Sequence, residues 1–369
     1  MGLKYRAAVL HQSGKPLVIE QVSASEPTAT DVVVRVRAAG LCHTDLEVID
    51  GSLRYPLPMI LGHEAAGIVE QVGADVDHIR VGDHVILSWN PHCGHCFQCD
   101  RGQPILCDTY LNEGPKGLHF DSRSKAGLEG GGELKHLMFL GAFAEIVVLP
   151  AQQAIVVPKE IPFDRACLIG CGVMTGVGAA LNVANIAYGD TVMVIGCGAV
   201  GLSALQGAVM AGAGAVIAVD LDDRKLVLAA GLGAAHTVNA KLRDPVEFAR
   251  SVTGGRGVDV VLESAGHVTA FRQTTEAVRA GGQVIWLGKI DVASDVRFRW
   301  GSLMGEKRLR RSSYGGARPA RDFPMLARAY LDGRLKLDEL ITARMPLEDI
   351  NQGFADLRAG RSVRTVIEF

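Results

Sequence analysis

Residues 191–201 read Thr191-Val192-Met193-Val194-Ile195-Gly196-Cys197-Gly198-Ala199-Val200-Gly201. The apolar, β-branched start predicts a strand, and the glycines have the G-x-G-x-x-G spacing of a turn that opens a helix. Gly196 permits the tight turn. Gly198 lacks the Cβ that would block a pyrophosphate, and Gly201 lets helix and strand pack closely. The free N–H groups at the helix start suit phosphates. A second strand, Ala215–Val219, ends at Asp220, which places a carboxylate where the adenosine ribose of a dinucleotide would lie. A carboxylate there accepts from a ribose diol and repels a 2′-phosphate, so the motif predicts NAD over NADP. Lys225 and Arg224 lie close by and weaken that discrimination.

The alternation continues outward from this motif. Val200–Ala211 and Arg224–Gly231 read as helices, and Val258–Leu262 and Gln283–Leu287 as strands, which predicts an α/β unit with a doubly wound parallel sheet. Before it, residues 1–90 are β-rich: Val32–Val36, Ala66–Val72 and the run after Gly82 read as strands, as do Ala144–Leu149 and Ile155–Val157 further on. After about residue 314, Met325–Leu331 and Ile350–Arg358 read as amphipathic helices and Thr365–Phe369 as a closing strand. Residues 108–141 are polar and Gly-rich without periodicity, which predicts a functional or mobile loop.

A chain of 369 residues suggests two domains. A net charge of −2 gives no broad basic field, so nucleic acid is not an expected partner. The run Gly198–Val219 carries no charge, but its glycines break it into turn, helix and strand, so no membrane span is expected. The N-terminus has Lys4 and Arg6 without an apolar segment behind them, and Arg6 stands where a myristoylation signal calls for Ser or Thr. These features predict a cytoplasmic protein, in which clustered cysteines mean metal before disulfide.

Four of the eight cysteines form Cys93-x2-Cys96-x2-Cys99-x7-Cys107. Short spacings let one lobe supply all four ligands of a tetrahedral zinc, which leaves no open position, so the site is structural; similar spacing can also hold an iron–sulfur cluster. Three scattered pieces remain: Cys42-His43-Thr44-Asp45, Gly62-His63-Glu64 and Gly170-Cys171-Gly172. Singly, Cys171 reads as a buried thiol and His63 as a structural histidine. Together they offer Cys, His and Cys, a catalytic zinc set with one position free.

With Gly62-His63-Glu64-Ala-Ala-Gly67-Ile-Val-Glu-Gln-Val-Gly73, the four-cysteine lobe and Gly172-Val-Met-Thr-Gly-Val-Gly178 in this order, the chain resembles the zinc-dependent medium-chain alcohol dehydrogenases from about Tyr5 to Phe369. The resemblance implies a GroES-like catalytic domain from residues 1–172 and 314–369, with the zinc lobe at 90–108, and a Rossmann NAD-binding domain at 173–313. Cys42, His63 and Cys171 would hold the catalytic zinc, with Glu64 as an occasional further ligand. Asp45 would orient His63, and Thr44 would contact the substrate oxygen and relay its proton. His43 and Arg364 would contact the cofactor pyrophosphate. Zinc would acidify a bound alcohol, whose carbon passes a hydride to the nicotinamide; in reverse it would polarise an aldehyde. Many relatives end the proton relay with a histidine where this chain has Glu47.

The same matching puts Leu53, Trp89, Phe139 and Leu140 around the substrate channel, where the flat wall of Trp89 favours primary aromatic or medium-chain alcohols over ethanol. The long segment 108–141 is similar to that of glutathione-dependent formaldehyde dehydrogenase. Leu111 stands where those relatives have an arginine, and Ser52-Leu53-Arg54 lacks their acidic pair, which argues against a glutathione adduct; another thiol cofactor stays open. By the same analogy a homodimer is expected, joined through the Rossmann domains near residues 297–312. Competing readings are a thiol-adduct formaldehyde dehydrogenase, a zinc-free quinone or enoyl reductase, and a non-catalytic zinc- and NAD-binding redox sensor.

Overall fold

The structure, a computed structural model, describes residues 3–369. Met1 and Gly2, and with them the glycine a myristoyl group would need, lie outside the described residues. The chain forms two compact units, Met1–Cys171 with Arg318–Phe369, and Gly172–Ala317.

The unit Gly172–Ala317 holds six strands: β1 Thr191–Ile195, β2 Ala215–Asp220, β3 His236–Asn239, β4 Val258–Glu263, β5 Val278–Trp286 and β6 Arg308–Arg311. Their spatial order is β3-β2-β1-β4-β5-β6, and every neighbouring pair is parallel. This is the doubly wound order, with its topological switch beside β1. Val192, Met193 and Val194 are fully buried, as expected of a central strand covered on both faces. Helices α1 Ala199–Met210, α2 Asp223–Gly231, α3 Pro245–Val252 and α4 Val268–Ala277 connect the strands. Asp222 and Asp244 cap α2 and α3 by accepting from first-turn N–H groups. The uncharged run 198–219 is thus α1 followed by β2.

β3 and β6 have no counterpart in the sequence reading; β3 is four residues, and β6 is an edge strand. The Arg-Leu-Arg-Arg of β6 lacks an apolar run, and the strand pairs on one side only, with β5. An edge strand need not be apolar, and its charges blunt the free edge.

In the other unit, Lys4–Leu10, Val18–Ala24, Ala126–Leu128, Glu133–His136 and Met59–Ile60 close a small barrel. A second sheet is centred on Asp31–Gly40, which pairs with Ala65–Val72, Ile146–Pro150 and Arg364–Glu368. The register Val366↔Gly40 brings the C-terminal strand beside Leu41, whose N–H donates to Thr365 O at 2.9 Å. The segment 108–141 is not a structureless loop. It supplies two barrel strands and the short helices Asp108–Glu113 and Gly114–Lys116, elements too brief for their periodicity to show in sequence.

The sequence reading also passed over a long apolar helix, Phe163–Val183, which contains the π-helical turn Ile169–Val173. By length and composition it could cross a membrane, but 72% of its apolar window is buried.

Candidate active site

Cys42 sits at the start of the helix His43–Asp50, in extended conformation at the end of the path from Asp31–Gly40. His63 and Glu64 lie between Met59–Ile60 and Ala65–Val72, and Cys171 lies in the π-helical turn, a local widening that recurs at functional sites. Ligand atoms of Cys42, His63, Glu64 and Cys171 all lie within 4.8 Å of one another.

Asp45, fully buried, accepts from the Gly62 N–H at 2.9 Å, and its Oδ1 lies 3.2 Å from His63 Nδ1. This contact leaves Nε2 of His63 as the ligand atom. Arg364 is also buried. Its Nη1 donates to Leu41 O at 2.9 Å, and its Nη2 lies 3.1 Å from Glu64 Oε1, an ion pair without hydrogen-bond geometry. The structure sets this guanidinium against Glu64.

The electrostatics of the cluster are those of charges awaiting a partner. A hydrogen bond from Cys171 holds the Cys42 thiol well below its ordinary value despite burial, with help from His63 and Arg364. The same contact, with burial, pushes Cys171 well above it. Burial alone would lower His63, but Asp45 and Cys42 outweigh it and raise the imidazole. Burial lifts Glu64 to about 7 against the pull of Arg364. Glu64 Oε2 and Asp45 Oδ2 are buried without a hydrogen-bond partner. Two sulfurs, an imidazole and a nearby carboxylate around one point fit a zinc ion with a position to spare.

The ligand atoms of Cys93, Cys96, Cys99 and Cys107 likewise lie within 4.8 Å of one another. Cys107 Sγ accepts from Cys93 N at 3.3 Å and Tyr110 N at 3.5 Å, and Cys96 Sγ from Asp108 N at 3.4 Å. Backbone donors aimed at sulfur suit thiolates, and the set fits a closed four-cysteine zinc site. No other such group occurs among the described residues.

In the nucleotide motif Gly196 adopts φ +94°, and a Cβ on Gly201 would lie 1.8 Å from Gly196 O. A Cβ on Gly198 would instead enter open space, the cradle a pyrophosphate would fill. Asp220 accepts from Cys197 N and Leu221 N, each at 2.7 Å, which ties the end of β2 to the turn after β1. Arg224 is paired with Asp222 at 2.7 Å, and Lys225 is half-buried on α2.

His43 is exposed and Thr44 half-buried in the first turn of their helix, and Glu47 is half-buried further along it. Leu53 and Trp89 are half-buried and pack on the hydrophobic core of the unit that holds Cys42 and His63. Phe139 and Leu140 are fully buried; Phe139 packs with Cys107 and Tyr110 beneath the cysteine lobe and stacks on His119 at 5.0 Å.

Sequence reasoning missed Glu263, a fully buried carboxylate at the end of β4 that accepts from Gly266 N at 2.7 Å and is raised by burial to about 7. Its signal was a charge closing the apolar run Val258–Leu262, just before Ser264-Ala265-Gly266.

Residues 28–159 match the family described as alcohol dehydrogenase GroES-like domain, and residues 199–331 the family described as zinc-binding dehydrogenase. The S-(hydroxymethyl)glutathione dehydrogenase of Saccharomyces cerevisiae is 37% identical over 99% of this chain and 96% of its own length. The NDMA-dependent alcohol dehydrogenase of Amycolatopsis methanolica is 37% identical over 99% of both. The crystal structure of benzyl alcohol dehydrogenase from Acinetobacter calcoaceticus superposes with a TM-score of 0.94 at 32% identity, covering 100% of this chain and 99% of that one. With the two metal-ligand clusters, the glycine turn and these relatives in agreement over its full length, the chain belongs to the zinc-binding medium-chain alcohol dehydrogenase family.

Proposed function

We propose that this alcohol dehydrogenase interconverts primary aromatic or medium-chain alcohols and their aldehydes with NAD(H), using one catalytic and one structural zinc per chain. The observation that carries the proposal is the convergence of Cys42, His63, Glu64 and Cys171 within 4.8 Å, from three distant parts of the sequence.

A zinc ion held by Cys42, His63 and Cys171 would supply Lewis acidity, making an alcohol hydroxyl acidic near neutral pH. The rest is work for the chain's own side chains. Asp45 keeps the His63 ring in one tautomer and orientation. Thr44, two residues from Cys42, hands the hydroxyl proton outward, and Glu47 or water receives it. A shifted pH dependence of kcat in Glu47→Gln would assign that step to Glu47. Gly198 leaves room for the pyrophosphate, and Asp220 receives the ribose hydroxyls. His43 is exposed at a helix start, where it suits a phosphate. Pairing with Asp222 occupies Arg224, which favours NAD over NADP.

Residues 1–172 and 314–369 act as the catalytic domain in this proposal, and 173–313 as the NAD-binding domain. Trp89 offers a flat apolar wall to an aromatic substrate. Leu111 is exposed on the cysteine lobe and Arg54 is exposed as well, a pair unlike the arginine and acidic pair that a glutathione adduct calls for. By analogy with relatives that carry the long segment, the enzyme works in the cytoplasm as a homodimer joined near residues 297–312.

The test is metal analysis combined with NADH formation over a panel of alcohols. Two zincs per chain are expected, and a kcat/KM for benzyl alcohol at least about tenfold that for ethanol. Comparable values for the two alcohols overturn the substrate reading, and metal and NAD binding without turnover of any alcohol overturns the catalytic one.

A further inference from the structure

The unit Gly172–Ala317 dictates which way a dinucleotide would run. The glycine turn after β1 leaves room for the pyrophosphate, and Asp220 at the end of β2 suits the adenosine ribose. β4 pairs with β1 on the side away from β2. The second nucleoside would therefore cross the switch point towards the ends of β4 and β5. Two short segments stand there, 264–266 after β4 and 287–289 after β5.

These segments are pressed together backbone to backbone. A Cβ on Gly266 would lie 2.4 Å from Lys289 O, and one on Gly288 would lie 2.4 Å from Gly266 N. Gly266 also adopts φ +63°, which suits glycine alone. Such a wall shifts only if main chain shifts, so its position depends on what ties the main chain down.

Glu263, fully buried at the last position of β4, ties both segments. Its carbonyl oxygen accepts Leu287 N at 2.7 Å and Gly288 N at 3.0 Å, and its Oε1 accepts Gly266 N at 2.7 Å. Its Oε2 lies 2.6 Å from where a Cβ on Gly288 would stand. Burial raises the carboxyl to about 7, against the pull of the Gly266, Ala265 and Gly288 N–H groups and of the Arg311 guanidinium. Oε2 has no hydrogen-bond partner. A neutral side chain could accept the Gly266 N–H without the cost of burying an acid, so a carboxylate here points beyond mere anchoring.

The side towards the glycine turn is held separately. Ser264 N donates to Ile195 O at 2.8 Å, and Ser264 Oγ to Gly196 O at 2.9 Å. Loss of the Glu263 carboxylate would thus free Gly266 while leaving the join to the pyrophosphate turn in place.

We propose that Glu263 is a positioning residue for the nicotinamide half of the cofactor, its carboxylate fixing segment 264–266 against 287–289. The assignment depends on NAD(H) being the cofactor.

Binding to the full-length, zinc-loaded enzyme tests it, with NADH followed by fluorescence and ADP-ribose, which lacks the nicotinamide, by calorimetry. Glu263→Ala is expected to weaken NADH about tenfold and to leave ADP-ribose within about twofold of wild type. Glu263→Gln keeps an oxygen for the Gly266 N–H and should recover part of the loss, leaving NADH about threefold weak. If Glu263→Ala does not fold, Glu263→Gln decides alone: NADH weakened with ADP-ribose unchanged supports the proposal, and both unchanged overturns it. Equal weakening of the two ligands would mean a general loosening of the unit and overturns the proposal. So does unchanged NADH binding in both variants. Failure of the wild type to bind NADH and ADP-ribose would overturn the NAD(H) reading itself, so the two failures are distinguishable.

Discussion

Asp45 Oδ1 lies 3.2 Å from Nδ1 of His63 while accepting the Gly62 N–H at 2.9 Å, so one buried carboxylate holds both the ring and the backbone just before it. A histidine ligand oriented in this way presents its other nitrogen without searching for it.

Removing that support should loosen the metal. Asp45→Ala is expected to weaken catalytic zinc by about 10–100-fold, measured by chelator competition on folded protein, with Asp45→Asn in between. Unchanged zinc affinity in both variants would reduce Asp45 to a backbone anchor.

The cysteine lobe should behave as a local clamp. Cys107 is fully buried and takes two backbone N–H groups, so Cys107→Ser should bring zinc content from two ions per chain to one and open residues 93–107 to limited proteolysis. Two zincs retained in this variant would contradict the four-cysteine site.

The nucleotide turn offers a pair of substitutions with opposite signatures. Gly201→Ala drives a Cβ to 1.8 Å from Gly196 O and should destabilise the protein by about 3 kcal/mol. Gly198→Ala meets nothing within 4 Å and has ordinary backbone angles, so its melting temperature should hold. Its new methyl occupies the phosphate cradle, and NADH affinity by fluorescence titration should fall at least about tenfold. Full NADH binding by Gly198→Ala would remove the cradle from the cofactor site.

Cofactor choice should depend on Asp220 and, behind it, on Asp222. Asp220→Ala should weaken NADH by about tenfold and narrow the gap to NADPH. Adding Asp222→Ala releases Arg224 and should favour NADPH further, as the ratio of the two dissociation constants would show. An unaltered ratio in the double variant would mean that Arg224 does not reach the 2′-phosphate.

Acid should destabilise the unit that holds His119 and His136 through these two buried histidines. Burial, then Lys125, pushes His136 down to about 4, and burial, then His136 and Lys125, holds His119 well below its ordinary value. A histidine whose folded value is depressed stabilises the fold above its unfolded value near 6.5, and that stability drains away as the pH falls towards the folded value. His136 alone should remove about 2 kcal/mol between pH 7.5 and pH 5. Thermal unfolding across that range should show the loss, and His136→Gln should shrink it; a flat profile would refute the assignment.

Much of the nucleotide-binding unit was legible because its signals are local. The central strands β1 and β2, covered on both faces, read as near-continuous apolar runs, and the glycine turn fits into eleven residues. β6 escaped because an edge strand pairs on one side and tolerates arginine on the other. The barrel strands Ala126–Leu128 and Glu133–His136 escaped because three or four residues carry no readable period.

By itself the sequence determined the dinucleotide turn and the four-cysteine lobe, since in both the groups that must meet are a few bonds apart and chain geometry does the gathering. Only the tertiary structure decided that Cys42, His63, Glu64 and Cys171 share one point and that Arg364 faces Glu64. Those meetings follow from strand register and sheet order, which place residues hundreds of bonds apart side by side and leave no periodic trace along the chain.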